Sequence, residues 1–248
     1  MSAVIKTAGL RFICDDTLEL WRAKTLLSKE KGTVAWIQRE VKAGDVFYDI
    51  GASTGIYALL AALQVGPEGA VYAFEPNLLS AMHLLRNAQA NQMLDRVHVI
   101  TSALHDEDTF LPFHYPALRP GVSGSQLGEA IDEMGTVFVP EFTELKHATT
   151  IDGLLDMRHI RSATLVKIDV DGNESRVLRG MRALLRAPLG PRSVQVEMHP
   201  ATADALIRQM GDYGFVEKER HHTSFGEEAI ANGVDPAKVF YNMIFGRA

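Results

Sequence analysis

An α/β fold built around a mostly parallel sheet is predicted for this chain of 248 residues, and three observations predict it. Short apolar runs alternate with longer helical patterns, the rhythm of parallel strands joined by right-handed helical crossovers. The first clear run, Val46–Ile50, breaks into the glycine-bearing turn Gly51-Ala52-Ser53-Thr54-Gly55 and then into a helix. Carboxylates stand at the ends of several runs, the edge at which open α/β sheets bind ligands.

Residues 1–44 read as a helical extension. Leu26, Val34, Ile37 and Val41 recur at helical spacing, with a break near Gly32. Residues 45–248 read as the main domain. Strands are expected at 46–50, 70–75, 97–101, 165–169 and 193–198, with closing strands at 214–218 and 239–245. Helices are expected at 56–65, closed by Gly66-Pro67, and at 78–91, 174–186 and 201–213. Between 107 and 163 the pattern weakens among prolines and glycines. A stretch this long without regular pattern in a compact domain is usually functional, and it reads as an insertion covering the acceptor side of an active site.

Composition narrows the function classes. The chain is 46% hydrophobic and 23% charged, with a net charge of −6. No run of Lys and Arg appears, which argues against a nucleic-acid or anionic-membrane surface. The single cysteine, Cys14, forms no internal disulfide and fits a reducing compartment. No secretory signal and no apolar stretch of membrane-spanning length are visible. A soluble cytoplasmic protein is expected, and a homo-oligomer is compatible with everything in the sequence.

Four constellations carry the chemistry. In the first, Asp49 precedes Gly51, Ala52, Ser53 and Gly55. A turn of this type presents backbone N–H groups and a helix N-terminus to a ligand. A carboxylate just before it would repel a pyrophosphate and suit a cationic ligand without phosphates, such as S-adenosylmethionine. Glu75, followed by Pro76, ends the next strand and can accept hydrogen bonds from ribose hydroxyls. An NAD-dependent oxidoreductase would also use Glu75, but Asp49 and the absence of a middle glycine at Ser53 count against it.

In the second, Ser102-Ala103-Leu104-His105-Asp106 follows the third strand, and small Ala103 leaves room for an adenine ring. In the third, Lys167, Asp169 and Asp171 end a buried strand before Gly172 and Glu174 open a helix. Lys167 and Asp169 are two apart and share one side of the strand. Burying so many charges without a function is unfavourable, although Asp171 or Asn173 could serve as an N-cap. In the fourth, Glu197 and His199 end the fifth run, with His199 a candidate general base.

Taken together these residues resemble the FkbM family of class I S-adenosylmethionine-dependent methyltransferases. That family's pattern is a D-x-G-A-N-x-G turn, an E-P pair, a K-x-D-x-E-G-x-E block and a later E-x-H. Asp49, Gly51, Ala52, Gly55, Glu75, Pro76, Lys167, Asp169, Gly172, Glu174, Gly180, Glu197 and His199 match it. Thr150-Ile151-Asp152 and the serine loop Ser123-Gly124-Ser125 resemble further family segments. Ser53 stands where Asn is customary, and Asp171-Gly172-Asn173 where Glu-Gly is common.

The resemblance implies a Rossmann-like fold: a mostly parallel seven-stranded sheet, helices on both faces and an antiparallel terminal strand. It implies O-methylation of a hydroxyl on a sugar, glycan or polyketide-type small molecule. Asp49, Gly51, Ala52, Ser53, Gly55, Glu75, Pro76, Ala103 and Asp169 would then bind the cofactor. His199 or Asp169 would be the base, with Glu197 and Lys167 orienting it or the acceptor. A less favoured variant has Asp169, Asp171, Glu197 and His199 holding a divalent metal. A methyltransferase-like binding protein without catalysis is the remaining alternative, disfavoured by the intact set of acids.

Overall fold

The chain opens with a β-hairpin, β1 (Ala3–Thr7) and β2 (Leu10–Cys14), in a computed structural model that describes residues 2–248. The helical reading of residues 1–44 therefore misses its first third. Leu10, Phe12 and Cys14 alternate into the core, and the free edge of β2 is covered by a helix further along the chain. Asn87 and Asn91 of that helix accept the Ile13 and Arg11 N–H groups, each at 2.8 Å, so the edge offers no open ladder. Two helices follow, α1 (Thr17–Lys24), capped by Asp16, and α2 (Lys31–Glu40). Gly32 sits inside α2; the break falls at residues 25–30.

The expected alternation then begins. β3 (Val46–Ile50), α3 (Ile56–Val65), β4 (Ala70–Phe74), α4 (Leu78–Ala90) and β5 (Val97–Ile100) succeed one another. In the 103–156 region four short strands, β6 (Ala103–Leu104), β7 (Thr109–Tyr115), β8 (Gln126–Leu127) and β9 (Phe142–Thr149), precede α5 (Ile151–Asp156). The main pattern resumes with β10 (Leu165–Ile168), α6 (Glu174–Gly180), α7 (Arg182–Arg186), β11 (Ser193–Met198) and α8 (Ala203–Asp212). β12 (Phe215–His221), α9 (Ser224–Ala231) and β13 (Tyr241–Arg247) complete the order.

The large sheet has the order β12-β13-β11-β10-β3-β4-β5. Its five strands from β11 to β5 run parallel, and β13 runs antiparallel to both its neighbours. The antiparallel strand is thus last in the chain but interior in the sheet. Alternation along β3 splits the core. Val46, Tyr48 and Ile50 pack with α6, α7 and α8 on one face, while Phe47 packs with the hairpin, α2, α3 and α4 on the other. Trp36 of α2 is fully buried there and donates its indole N–H to Ser193 Oγ at 2.9 Å.

The segment between residues 107 and 163 is not an irregular loop. With β6 just before it, it builds a second sheet, β6-β9-β7-β8, in which Phe113 and Tyr115 of β7 face inward. Pro112 within β7 hides the strand in the sequence, because proline breaks the usual ladder signal. Asp152, from the Thr-Ile-Asp segment, accepts the Ala183 and Leu184 N–H groups and so caps α7. Among the described residues no helix is long and apolar enough to cross a membrane.

Candidate active site

The turn after β3 folds back on its own sheet. Gly51 and Ala52 donate their N–H groups to the Phe74 carbonyl at 3.0 and 3.1 Å, and Gly55 donates to Ala52. Ser53 donates to Glu75 Oε2 at 2.7 Å. The expectation of a turn offering these N–H groups to a ligand is therefore corrected for Gly51, Ala52, Ser53 and Gly55, whose N–H groups are all engaged within the protein. Gly51 has φ +80°, and a Cβ there would overlap the Asp169 carbonyl of the neighbouring strand. Glycine is required by strand contact as well as by backbone conformation. Ser53 also has positive φ, +49°, a conformation Asn tolerates better than Ser, which accounts for the family preference for Asn.

Glu75 ends the neighbouring strand pinned by two backbone donors, Ser53 N–H and Asn77 N–H, the latter at 2.8 Å. Burial outweighs these bonds and pushes its carboxyl up to about 7. It lies on the wall of a cavity of about 280 Å³, with Gly51, Ala52, Ser53, Phe74, Pro76, Ser102, Ala103, Leu104, Lys167, Asp169, Asp171 and Glu197. Most sequence candidates thus meet in one place. Three do not line it: Asp49, Gly55 and His199.

Asp49 lies beneath the floor. It pairs in register with Lys167 of β10, its Oδ1 3.8 Å from Lys167 Nζ, and both side chains are 1% exposed. Burial pushes its carboxyl up to about 6, with Lys167 opposing. Lys167 reaches on to Asp169 Oδ2 at 2.8 Å and lies over the Tyr57 ring. Burial disfavours its charge, but Asp169, Asp49 and Glu30 outweigh burial and hold the ammonium protonated. Asp169 is likewise held well below the usual carboxylate range by Lys167 despite its burial. Glu197 goes the other way: burial, then the Asp169 charge, push its carboxyl well above its ordinary value. Lys167 and burial thus drive the two carboxyls in opposite directions.

His199 stands apart from this group. β11 ends at Met198, so the two-residue alternation that would align His199 with Glu197 stops before it reaches the imidazole. Its Nδ1 accepts the Ala201 N–H at 3.1 Å and its ring meets Phe240 edge-on. Asp171 is not an N-cap. At φ +52° it accepts the Gly124 N–H at 2.8 Å on Oδ2, while its carbonyl accepts Gln126 Nε2. Those contacts tie the serine loop over the cavity. Of the metal set, only Asp171 and Glu197 come together, and Glu133 joins them with oxygens all within 4.8 Å. Asp169 remains on Lys167.

Several lining residues escaped the sequence reading. Glu133 comes from the second-sheet region, and burial, then Asp171 and Asp169, push it up to about 7. An acid in a weakly patterned stretch carries no local signal. Arg22, Thr25, Leu26, Lys29 and Glu30 come from the N-terminal extension and line the cavity. Glu30 is buried, accepting from Lys29 Nζ at 2.9 Å and Thr33 Oγ1 at 3.2 Å. His105 is turned away, against Arg176 and Asp106.

A family model described as the methyltransferase FkbM domain matches residues 49–217. The chain belongs to the FkbM methyltransferase family. The 31-O-demethyl-FK506 methyltransferase FkbM of Streptomyces tacrolimicus is 29% identical over 199 residues, covering 67% of this chain and 75% of the relative. The hexuronic acid methyltransferase AglP of Haloferax volcanii is 26% identical over 200 residues, covering 80% and 74%. The fold also matches a solved precorrin-6y C5,15-methyltransferase from Geobacter metallireducens with a TM-score of 0.52 at 12% identity, over 91% of this chain and 92% of that one. This FkbM-family protein is an S-adenosylmethionine-dependent methyltransferase on a Rossmann-like class I fold. The oxidoreductase alternative is set aside. The family-matched segment starts at Asp49, so the α1 and 25–30 residues on the cavity wall lie outside it.

Proposed function

We propose that this enzyme methylates a hydroxyl oxygen of a sugar, a glycan end or a polyketide-type alcohol. The observation that carries the reading is the meeting of Asp169, held by Lys167 at 2.8 Å, with Glu197 on the wall that also holds Glu75 and residues 51–53 of the turn. The two curated relatives support it, since one name specifies a 31-O position and the other a hexuronic acid.

The residues fit S-adenosylmethionine. With the N–H groups of Gly51, Ala52, Ser53 and Gly55 engaged and acids around them, the site suits an ammonium and a sulfonium rather than a pyrophosphate. Glu75 keeps lone pairs for ribose hydroxyls beyond those used by Ser53 and Asn77. Phe74, Ala103, Leu104, Phe113 and Leu127 supply an apolar slot for the adenine. Gly51, Ala52, Ser53 and Asp169 border the amino-acid end, and Asp49 acts from below through Lys167.

The cofactor, when bound, supplies a methyl group already activated by its sulfonium. The chain therefore has to align the acceptor and handle one proton. An acceptor hydroxyl donating to the Asp169–Glu197 pair is oriented by it. The oxygen becomes strongly acidic as it gains the methyl carbon, so a carboxylate of low basicity suffices to take the proton. Lys167 keeps Asp169 ionised for that purpose. His199 is replaced in this role by the carboxylate pair.

The test is incubation with isotopically labelled S-adenosylmethionine and a panel of free sugars, uronic acids and macrocyclic alcohols. Methyl ether products identified by mass spectrometry are expected, together with S-adenosylhomocysteine. Label found on nitrogen or carbon, with none on oxygen across acceptors that turn over, would refute the reading.

A further inference from the structure

Arg22 is a cation without an ion-pair partner on the wall of an acid-lined cavity. It projects from α1, and its Nη2 donates to Ser123 Oγ at 2.9 Å. Its Nε is buried and has no acceptor among the described residues. Among the described residues no carboxylate lies within 4.0 Å of it. Arg39, Arg86, Arg96, Arg179 and Arg192 each meet one directly. The other cations on the wall are already matched, Lys29 with Glu30 and Lys167 with Asp169. Asp171, the acid whose charge Arg22 feels, directs one oxygen to the Gly124 N–H instead.

A buried guanidinium N–H with no acceptor is unfavourable unless a ligand completes it. The planar fork of Arg suits two anionic ligand groups, carboxylate and phosphate. The surroundings choose between them. Glu30, Glu133, Asp169, Asp171 and Glu197 share the wall, and a phosphate dianion would meet their field with one free cation to oppose it. A carboxylate carries half that charge and needs only the guanidinium and a neutral hydroxyl, which Ser123 offers while accepting from Arg22.

We infer that Arg22 is a carboxylate-binding residue of the active-site cavity, supplied by the N-terminal extension from outside the family-matched segment. The carboxylate is either the one at the amino-acid end of the cofactor or one on the methyl acceptor. The inference rests on the methyl-transfer reading and deepens it. Recruitment from α1 would make that helix part of the binding site and not mere packing on the hairpin.

Calorimetric titration separates the sources. Wild type and the Arg22→Gln and Arg22→Lys variants are titrated with S-adenosylhomocysteine and with 5′-methylthioadenosine, which lacks the amino-acid group. The complexes saturated with S-adenosylhomocysteine are then titrated with glucuronic acid and its methyl ester. If the cofactor supplies the carboxylate, Arg22→Gln weakens S-adenosylhomocysteine by about tenfold or more and leaves 5′-methylthioadenosine unchanged. If the acceptor supplies it, S-adenosylhomocysteine affinity holds and the preference for the acid over its ester disappears in Arg22→Gln. Arg22→Lys keeps the charge and recovers part of the loss in either case. Unchanged S-adenosylhomocysteine affinity with an unchanged acid-to-ester ratio overturns the inference. Failure of wild type to bind S-adenosylhomocysteine overturns instead the cofactor reading beneath it, and unfolding curves of both variants exclude a simple folding defect.

Discussion

Lys167 and Asp49 face each other across adjacent parallel strands, ammonium 3.8 Å from carboxylate, with each side chain 1% exposed. The same ammonium reaches Asp169 at 2.8 Å. One cation therefore neutralises a carboxylate under the floor of the cavity and another on its wall. Structural support and proton handling share a single charge.

Lys167→Met removes that charge and leaves two buried carboxylates unpaired. A loss of about 3–5 kcal/mol is expected, because breaking one partner from a buried ion pair exposes the whole desolvation cost of the other. The freed acids can escape by taking up protons, so the deficit should be smaller at pH 5 than at pH 8. Urea unfolding at both pH values checks this. An equal deficit at the two would show that Lys167 does not set the charge of these acids.

Asp49 predicts a pH slope in the wild-type protein. Its folded value is about 6, raised by burial, against ~3.9 for an unfolded aspartate. Between those values the unfolded chain has released a proton that the folded chain still holds. Stability therefore falls as pH rises through that window and levels off above it. Glu75, raised to about 7, acts in the same sense. Asp49→Asn should flatten the fall by an amount on the order of 2–3 kcal/mol, read as a smaller difference in Tm between pH 4 and pH 8.

Ser53 holds φ +49° in the turn beside Glu75. Ser53→Asn and Ser53→Gly should match or exceed wild-type stability, by up to about 1 kcal/mol. Ser53→Val should lose more than ~1 kcal/mol, because a β-branched residue resists this conformation. Thermal melts of the three variants rank them. Retained stability in Ser53→Val would mean that the turn relaxes to another conformation.

His199 and Asp169 give opposite expectations. Asp169→Asn should lower turnover by ~10²–10⁴-fold. His199→Ala should stay within about threefold, since its ring packs on Phe240 and its Nδ1 takes a backbone N–H outside the cavity. Single-turnover assays with saturating cofactor compare the two. A collapse of activity in His199→Ala would restore the imidazole as the base.

Strands ending in acids were readable because burial on both faces makes a continuous apolar run, and a charge at its end has no other reason to be there. Val46–Ile50 and Ser193–Met198 match their expected bounds for this reason. The hairpin at Ala3–Cys14 was not readable, since β1 is largely exposed and shows no apolar alternation. β7 was masked by Pro112. The site was half visible. Glu75, Lys167, Asp169 and Glu197 sit at strand ends, where register predicts proximity. Arg22, Glu30 and Glu133 reach the cavity through tertiary packing, and only the folded chain shows that they belong to it.

β13 is last along the chain yet lies between β11 and β12. Neither neighbour can be satisfied until residues 241–247 have left the ribosome, so β11 and β12 both wait on a strand made after them. Glu197, carried at the end of β11 opposite Asn242, reaches its finished surroundings only then. A nascent chain halted before Tyr241 would hold the cofactor turn but neither a closed sheet nor a settled proton-handling pair. The enzyme's chemistry is thereby deferred until residues 241–247 have joined the sheet.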